Sequence, residues 1–369
     1  MSAHAADSPP VPSGAGDSSI QRERIPLVHV TDLYHPAQDP DDHLDLLTIA
    51  GLPEYDLRGV VLDATQKFLL AAPAGWDLPR DPGYVPVAQL AHLTGRAIPA
   101  AMGPLEPMAH PGDTLSQRPR AEQAGIQLLI DELARSSRPV TLSVVGSCRT
   151  VAAAFNREPG LMLAKTRSVL LNAGSISGTE REWNDALDPI AYETLWRSGL
   201  PIDWYPCATG KSAFDRAHER GTHWNATHDV LFHDLPAPLR GWICYAFTGS
   251  ARGDLIRSLS ETGRGATWEQ VLTGSRNLWS TASLVMTAGR VLSRTAEGWR
   301  FVPAAEAAGR ETWPLRLDPI RATITPGEPL AWQPTDTPSP WRLFGRAPGI
   351  DYGTAMAEAL NALFRSITV

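Results

Sequence analysis

Cysteine is scarce in this chain. There are three in 369 residues, Cys148, Cys207 and Cys244, with no CxxC spacing. An odd, scattered set argues against a disulfide framework, and a reducing, cytoplasmic setting is expected, with all three as buried thiols. Positive charge is also short: 33 Lys and Arg stand against 40 Asp and Glu, for a formal net charge of −7 and a pI of about 5.8. Nucleic-acid and anionic-membrane partners need clustered Lys and Arg, so neither is expected. No apolar run approaches the ~20 residues of a membrane span. The opening MSAHAADSPP is small and polar, without the basic start and apolar stretch of a secretory signal. P-loop, GxGxxG and Ser-His-Asp signatures are missing, and no repeat is found.

What is present is an ordinary globular composition, 43% hydrophobic and 20% charged, with a high count of 12 Trp. Residues 1–22, rich in Ser, Pro, Gly, Ala and Asp, are read as a disordered leader. Residues 23–369 are read as one domain, with a core over 25–207 and helical and irregular additions over 208–369. Short apolar runs predict strands at 25–30, 57–62, 98–102, 140–145, 168–172 and 202–205. Helical patterns fall between them, at 43–50, 87–94, 121–136, 149–155 and 189–198. This alternation predicts an α/β fold, a mostly parallel central sheet with helices on both faces, Rossmann-like and open. Residues 235–292 read as mainly helical, 299–350 as Pro- and Trp-rich with short strand-like runs such as 321–325, and 354–366 as a last helix.

Directly after the first predicted strand stands TDLYHPAQDPDDH, which places Asp32, Asp39, Asp41 and Asp42 within eleven residues. The carboxyl end of a strand in an open α/β sheet is where ligands bind. Clustered carboxylates repel one another unless a cation or hydrogen bonds neutralise them, and hard divalent cations take several oxygen ligands. An Asp before a helix can also serve as its cap. One Asp is enough for that purpose, whereas four point to a site. His35 and His43 flank the cluster as candidate proton donors or as bystanders. A second constellation is Glu182-Trp183-Asn184, followed by Asp188-Pro189 at a helix start, where Asp-Pro alone is an ordinary cap. A third is the strand-to-helix turn Gly146-Ser147-Cys148-Arg149-Thr150.

Together these resemble the inosine/uridine-preferring nucleoside hydrolase family, over residues 26–207 in recognisable order. The resemblance implies Asp32 as general base and Ca²⁺ ligand, Asp42 as a further ligand, and Asp41 on the ribose hydroxyls. It implies Glu182 and Asn184 on the sugar 3′- and 5′-hydroxyls, Asn172 on the pocket floor, and the backbone carbonyl of Arg149 as another metal ligand. The chain departs from the family in three ways. The loop from Asp32 to Asp41-Asp42 is longer, Val30 replaces a strand Asp, and the late His-Asp pair aligns with Trp279-Ser280. Asp39 is an extra carboxylate that can compensate as a ligand, Ser280 is a weak counterpart of the missing one, and Trp279 is a candidate stacking partner for a base. Trp183, Trp204 and Trp224 are further stacking candidates. His228-Asp229 and His233-Asp234 offer the right letters too early in the chain, and Asp63 and Gln66 are the nearest matches to an Asn that follows the second strand in the family.

The expected function is hydrolysis of the N-glycosidic bond of a nucleoside or related N-riboside, with Ca²⁺ as cofactor. The alternatives are a tailoring enzyme acting on an unusual nucleoside or sugar, and a sugar- or nucleoside-binding protein without turnover. The resemblance also raises a homo-oligomer, dimer or tetramer.

Overall fold

The first strand, IPLVHVT, is buried at every position but Ile25, the near-continuous apolar pattern of a strand covered on both faces. In the computed structural model, which describes residues 23–70, 80–177, 181–210, 212–349 and 351–369, it opens an alternating α/β chain. The order is β1 (Ile25–Thr31), α1 (Asp41–Gly51), β2 (Tyr55–Leu62), α2 (Gln66–Leu69), α3 (Tyr84–Thr94), β3 (Ala100–Met102), α4 (Arg120–Arg135) and β4 (Val140–Val144). Then come α5 (Arg149–Arg157), α6 (Pro159–Lys165), β5 (Thr166–Leu171), α7 (Trp183–Leu187), α8 (Pro189–Arg197) and β6 (Ile202–Trp204). The second half adds β7 (Trp224–Thr227), α9 (His228–Leu231), α10 (Ala237–Phe247), α11 (Ser258–Glu261), α12 (Gly265–Leu272), β8 (Ser275–Leu278) and α13 (Thr281–Thr287). It ends with β9 (Arg290–Thr295), β10 (Gly298–Pro303), β11 (Thr312–Trp313), β12 (Leu315–Thr323), β13 (Ala331–Pro334), β14 (Trp341–Arg346) and α14 (Tyr352–Arg365). The leader expected over 1–22 lies outside the described residues.

Nine strands form the central sheet in the order β13-β12-β14-β6-β5-β4-β1-β2-β3. From β14 through β3 all neighbours are parallel, and β12 and β13 add an antiparallel edge. Successive side chains of a strand point to opposite faces. Accordingly Leu27 packs into one apolar layer with residues of α1, α3, α10 and α14, whereas Val28 and Val30 pack into another with residues of α4, α5 and α8. The region 299–350 is not irregular. Its strand β14 pairs in parallel with β6, Trp341 opposite Ile202, and so extends the sheet beyond the expected core. Among the described residues no helix is long and apolar enough to cross a membrane.

The chain leaves β1 towards β2 and β3 on one side, then returns to lay β4 on the other. The carboxyl ends of β1 and β4 therefore border a topological switch point, where crossovers diverge and leave a crevice.

Candidate functional site

That crevice is a pocket with a volume of about 400 Å³, within the range that holds a small organic ligand. Its acidic side is Asp32, just past β1, with Asp39, Asp41, Asp42 and Asp45 from the following loop and α1. Val145 and Asn172, just past β4 and β5, and Glu182 and Asn184 continue the polar lining. Cys207 and Ser280 complete it. Tyr34, Phe68, Trp183, Phe214 and Trp279 supply aromatic wall.

Each polar group is positioned by a specific contact. Thr31 Oγ1 donates to Asp42 Oδ1 at 2.6 Å, and Asp32 and Asp42 are themselves in hydrogen-bond contact. Gly146 lies so close to Asp32 that a Cβ there would sit 3.2 Å from the Asp32 Cβ. Asn184 donates its amide to the carbonyls of Val145 and Asn172, both at 3.0 Å. Asn172 donates to the carbonyls of Val144 and Leu170, which leaves its buried Oδ1 without a partner. Glu182 accepts from the backbone N–H of Gly174 at 2.7 Å and Asn184 at 3.1 Å, and caps α7. Gly174 needs to be glycine: its φ is +81° and a Cβ would fall 2.3 Å from the Tyr192 hydroxyl.

Burial and mutual repulsion shift these acids. The Asp32 carboxyl is pushed up to about 7, first by burial and then by the charges of Asp41 and Asp63. Burial raises Glu182 to about 7 against the pull of its three backbone donors. Asp41 and Asp42 are raised well above the carboxylate range by burial and by neighbouring aspartates. Asp45 was not anticipated as a site residue. It is 3% exposed, is pushed up to about 7 by burial, and accepts a hydrogen bond from Ser280 Oγ. The signal for it was in the sequence, since it follows Asp41 by four residues and so shares its helix face.

Several expected residues stand elsewhere. Arg149 does not reach the pocket: it begins α5, and its guanidinium is buried against Asp188 Oδ2 at 3.1 Å and the carbonyls of Pro104, Leu105 and Leu187. The strand-end carbonyl beside the pocket is that of Val145, so Val145 replaces Arg149 as the backbone candidate. Asp39 lines the pocket but is paired with Arg276. Asp63 is buried below the pocket, bonded to Ser147 and Thr150, and Gln66 is exposed on α2. Trp204 and Trp224 are core residues, 0% and 1% exposed. Among the described residues no histidine lines the pocket. His35 bonds the Ser250 carbonyl, His43 is buried against Trp242, His228 packs on Phe232 and Phe247, and His233 pairs with Asp234 at the surface.

Among the described residues no three His, Cys, Asp or Glu side chains converge as a cation site. The set that fits a hard cation is smaller and all oxygen: the Asp32 and Asp42 carboxylates in contact with each other, with Val145 lining the same pocket. Two buried acids that share a hydrogen bond are what a bound cation would relieve.

No family model matches the chain, and no curated protein does either. Solved structures do. A purine-preferring ribonucleoside hydrolase from Gardnerella vaginalis is 13% identical, with a TM-score of 0.51 over 92% of this chain and 99% of that one. An inosine-guanosine nucleoside hydrolase is 11% identical, with a TM-score of 0.52 over 94% of this chain and 99% of that one. The chain thus has the α/β fold of the nucleoside hydrolases on a sequence that has diverged far from these neighbours.

Proposed function

We propose that the protein hydrolyses the N-glycosidic bond of a nucleoside or related N-riboside. The observation that carries this reading is Asp32. It stands at the switch point of a nucleoside hydrolase fold, has a carboxyl poised at about 7, and shares one pocket with Asp41, Asn172, Glu182 and Asn184. Cleavage of such a bond passes through an oxocarbenium-like state, with C1′ losing its leaving group ahead of attack by water. Asp32 takes the proton of that water as general base. Asp41 and the free oxygens of Asn172 and Asn184 orient the sugar hydroxyls, which replaces a bimolecular search by fixed geometry. Glu182 holds the Gly174 and Asn184 backbone around them, and Trp279 offers its face to the leaving base. A hard divalent cation such as Ca²⁺, held by Asp32, Asp42 and the Val145 carbonyl, would polarise water and sugar hydroxyls there.

A second reading has one observation in its favour. The described pocket lining carries no His, Lys or Arg to protonate a leaving base, which suits a protein that transforms an unusual nucleoside or binds one without turnover. Metal content and nucleoside turnover, measured on one purified sample beside Asp32→Ala, separate the readings. Release of free ribose that needs Ca²⁺ and disappears in the variant is the expected result. A metal-free protein inert towards purine and pyrimidine nucleosides would overturn hydrolysis.

A further inference from the structure

We propose that the natural ligand carries two flat groups, one at each end of its sugar, held by Trp183 and Phe214; this rests on the nucleoside reading above and names its substrate class. The pocket has two separate aromatic walls. One begins between Glu182 and Asn184: Trp183 packs on Phe68 with centroids 5.5 Å apart, and Phe68 stacks on Tyr34 at 5.8 Å and 9°. The other stands beside the Asp45–Ser280 contact: Trp279 meets Phe214 at 5.7 Å and His223 at 5.1 Å. Among the described residues no ring of one wall touches a ring of the other.

In each wall most rings are braced and one is left open. Arg80 covers Tyr34 at 5.6 Å and Lys67 covers Phe68 at 5.7 Å, while Trp183 stays 54% exposed. Trp279 is pinned by its Nε1 donating to the Ala213 carbonyl, while Phe214 meets its neighbours edge-on and stays 58% exposed. Large aromatic rings left open at a pocket mark places where flat groups stack. The carboxylates and amides that line the same pocket take the hydroxyls of one sugar. A nucleoside offers a single flat group, its base at C1′, and so fills only one wall. The position at the opposite end of the ribose is C5′, so the second flat group is a substituent there. The base goes to the Phe214–Trp279 wall, and the C5′ substituent goes to Trp183.

Calorimetric titration of the full chain with 5′-deoxyadenosine, 5′-deoxyinosine and the 5′-phenylthio derivative of each tests this directly. The derivative is expected to bind about tenfold more tightly than its parent, the gain of one stacked ring. In Trp183→Ala that ratio falls to about one, and Trp183→Phe restores most of it. Phe214→Ala weakens parent and derivative by the same factor and keeps the ratio. A parent that binds while its derivative gains nothing, or a gain that survives Trp183→Ala, overturns the second group and leaves the nucleoside reading standing. No binding of any of the four overturns both.

Discussion

Ser280 stands where a carboxylate was sought, and its hydroxyl donates to the Asp45 carboxyl. The charge at this end of the pocket therefore comes from α1, one turn beyond Asp41 and Asp42, instead of from the start of α13. Among the described residues no Lys or Arg pairs with Asp45, and burial holds it at about 7. A buried acid of this kind costs stability unless a ligand uses it. We expect Asp45→Asn to lower kcat/KM for the best nucleoside by roughly 10- to 100-fold, the worth of a hydrogen bond to a charged group, ~1.5–3 kcal/mol. Ser280→Ala leaves the carboxyl in place and should cost less. Steady-state kinetics beside thermal melts check this. An Asp45→Asn protein with wild-type kinetics would reduce the residue to a packing role.

Between elements, the firmest fastening near the site is the Arg149–Asp188 pair. Arg149 is 1% exposed and Asp188 0%. Asp188 also accepts from the N–H of Met108 and caps α8 through Ala191, so this one pair ties the segment after β3, α5, α7 and α8 together. Removing one partner of a buried pair leaves the other charge uncompensated, at about 3–5 kcal/mol. Arg149→Met should lose that much in urea denaturation, and Arg149→Met/Asp188→Asn should recover a good part of it; equal losses would show that Arg149 acts through its other bonds alone. The sequence put the backbone carbonyl of Arg149 forward as a metal ligand, whereas the turn residue that lines the pocket is Val145. A strand-to-helix turn holds several carbonyls, and letters do not say which one faces a cavity, so Arg149 stood in for Val145. The periodic elements were legible because burial repeats every two or every 3.6 residues, and β1, α1, β4 and α8 fall within two residues of their expected bounds. Strand β14 was not, because its partner β6 lies far back in the chain and nothing local marks Trp341–Arg346 as the continuation of a sheet. The acids of the site were legible as a cluster. Phe68 and Phe214 were not, since a lone aromatic in a one-turn helix or a loop carries no periodicity.

For the molecule as a whole, buried titrating groups set opposing dependences on pH. His29, deep in β1 with only the Ser143 hydroxyl as partner, is pushed down to about 3 by burial. It is neutral in the fold where the unfolded chain would protonate it, so its contribution is lost as pH falls from about 6.5 towards 3. Asp45 and Glu182 at about 7, and Asp63 at about 6, work the other way. Burial raises all three, so the fold keeps protons that the unfolded chain gives up near pH 4, and their contribution is lost as pH rises towards 7. Asp32, at about 7, adds to the carboxyl side and the buried His43 to that of His29, and the raised carboxyls outnumber the lowered histidines, which places the optimum on the acid side. Each group is worth up to about 1.4 kcal/mol per pH unit, so the cation-free protein should lose stability between pH 5 and pH 7. A divalent cation among the carboxylates favours their ionised forms and stabilises the fold by mass action. Melting curves at pH 5 and pH 8, after chelation and again with millimolar CaCl₂, test both halves of the argument. The chelated protein should melt lower at pH 8, and CaCl₂ should close most of that gap while changing little at pH 5. A gap that CaCl₂ leaves untouched would separate the acidic floor from cation binding and leave its charge to be neutralised by protons and sugar hydroxyls alone.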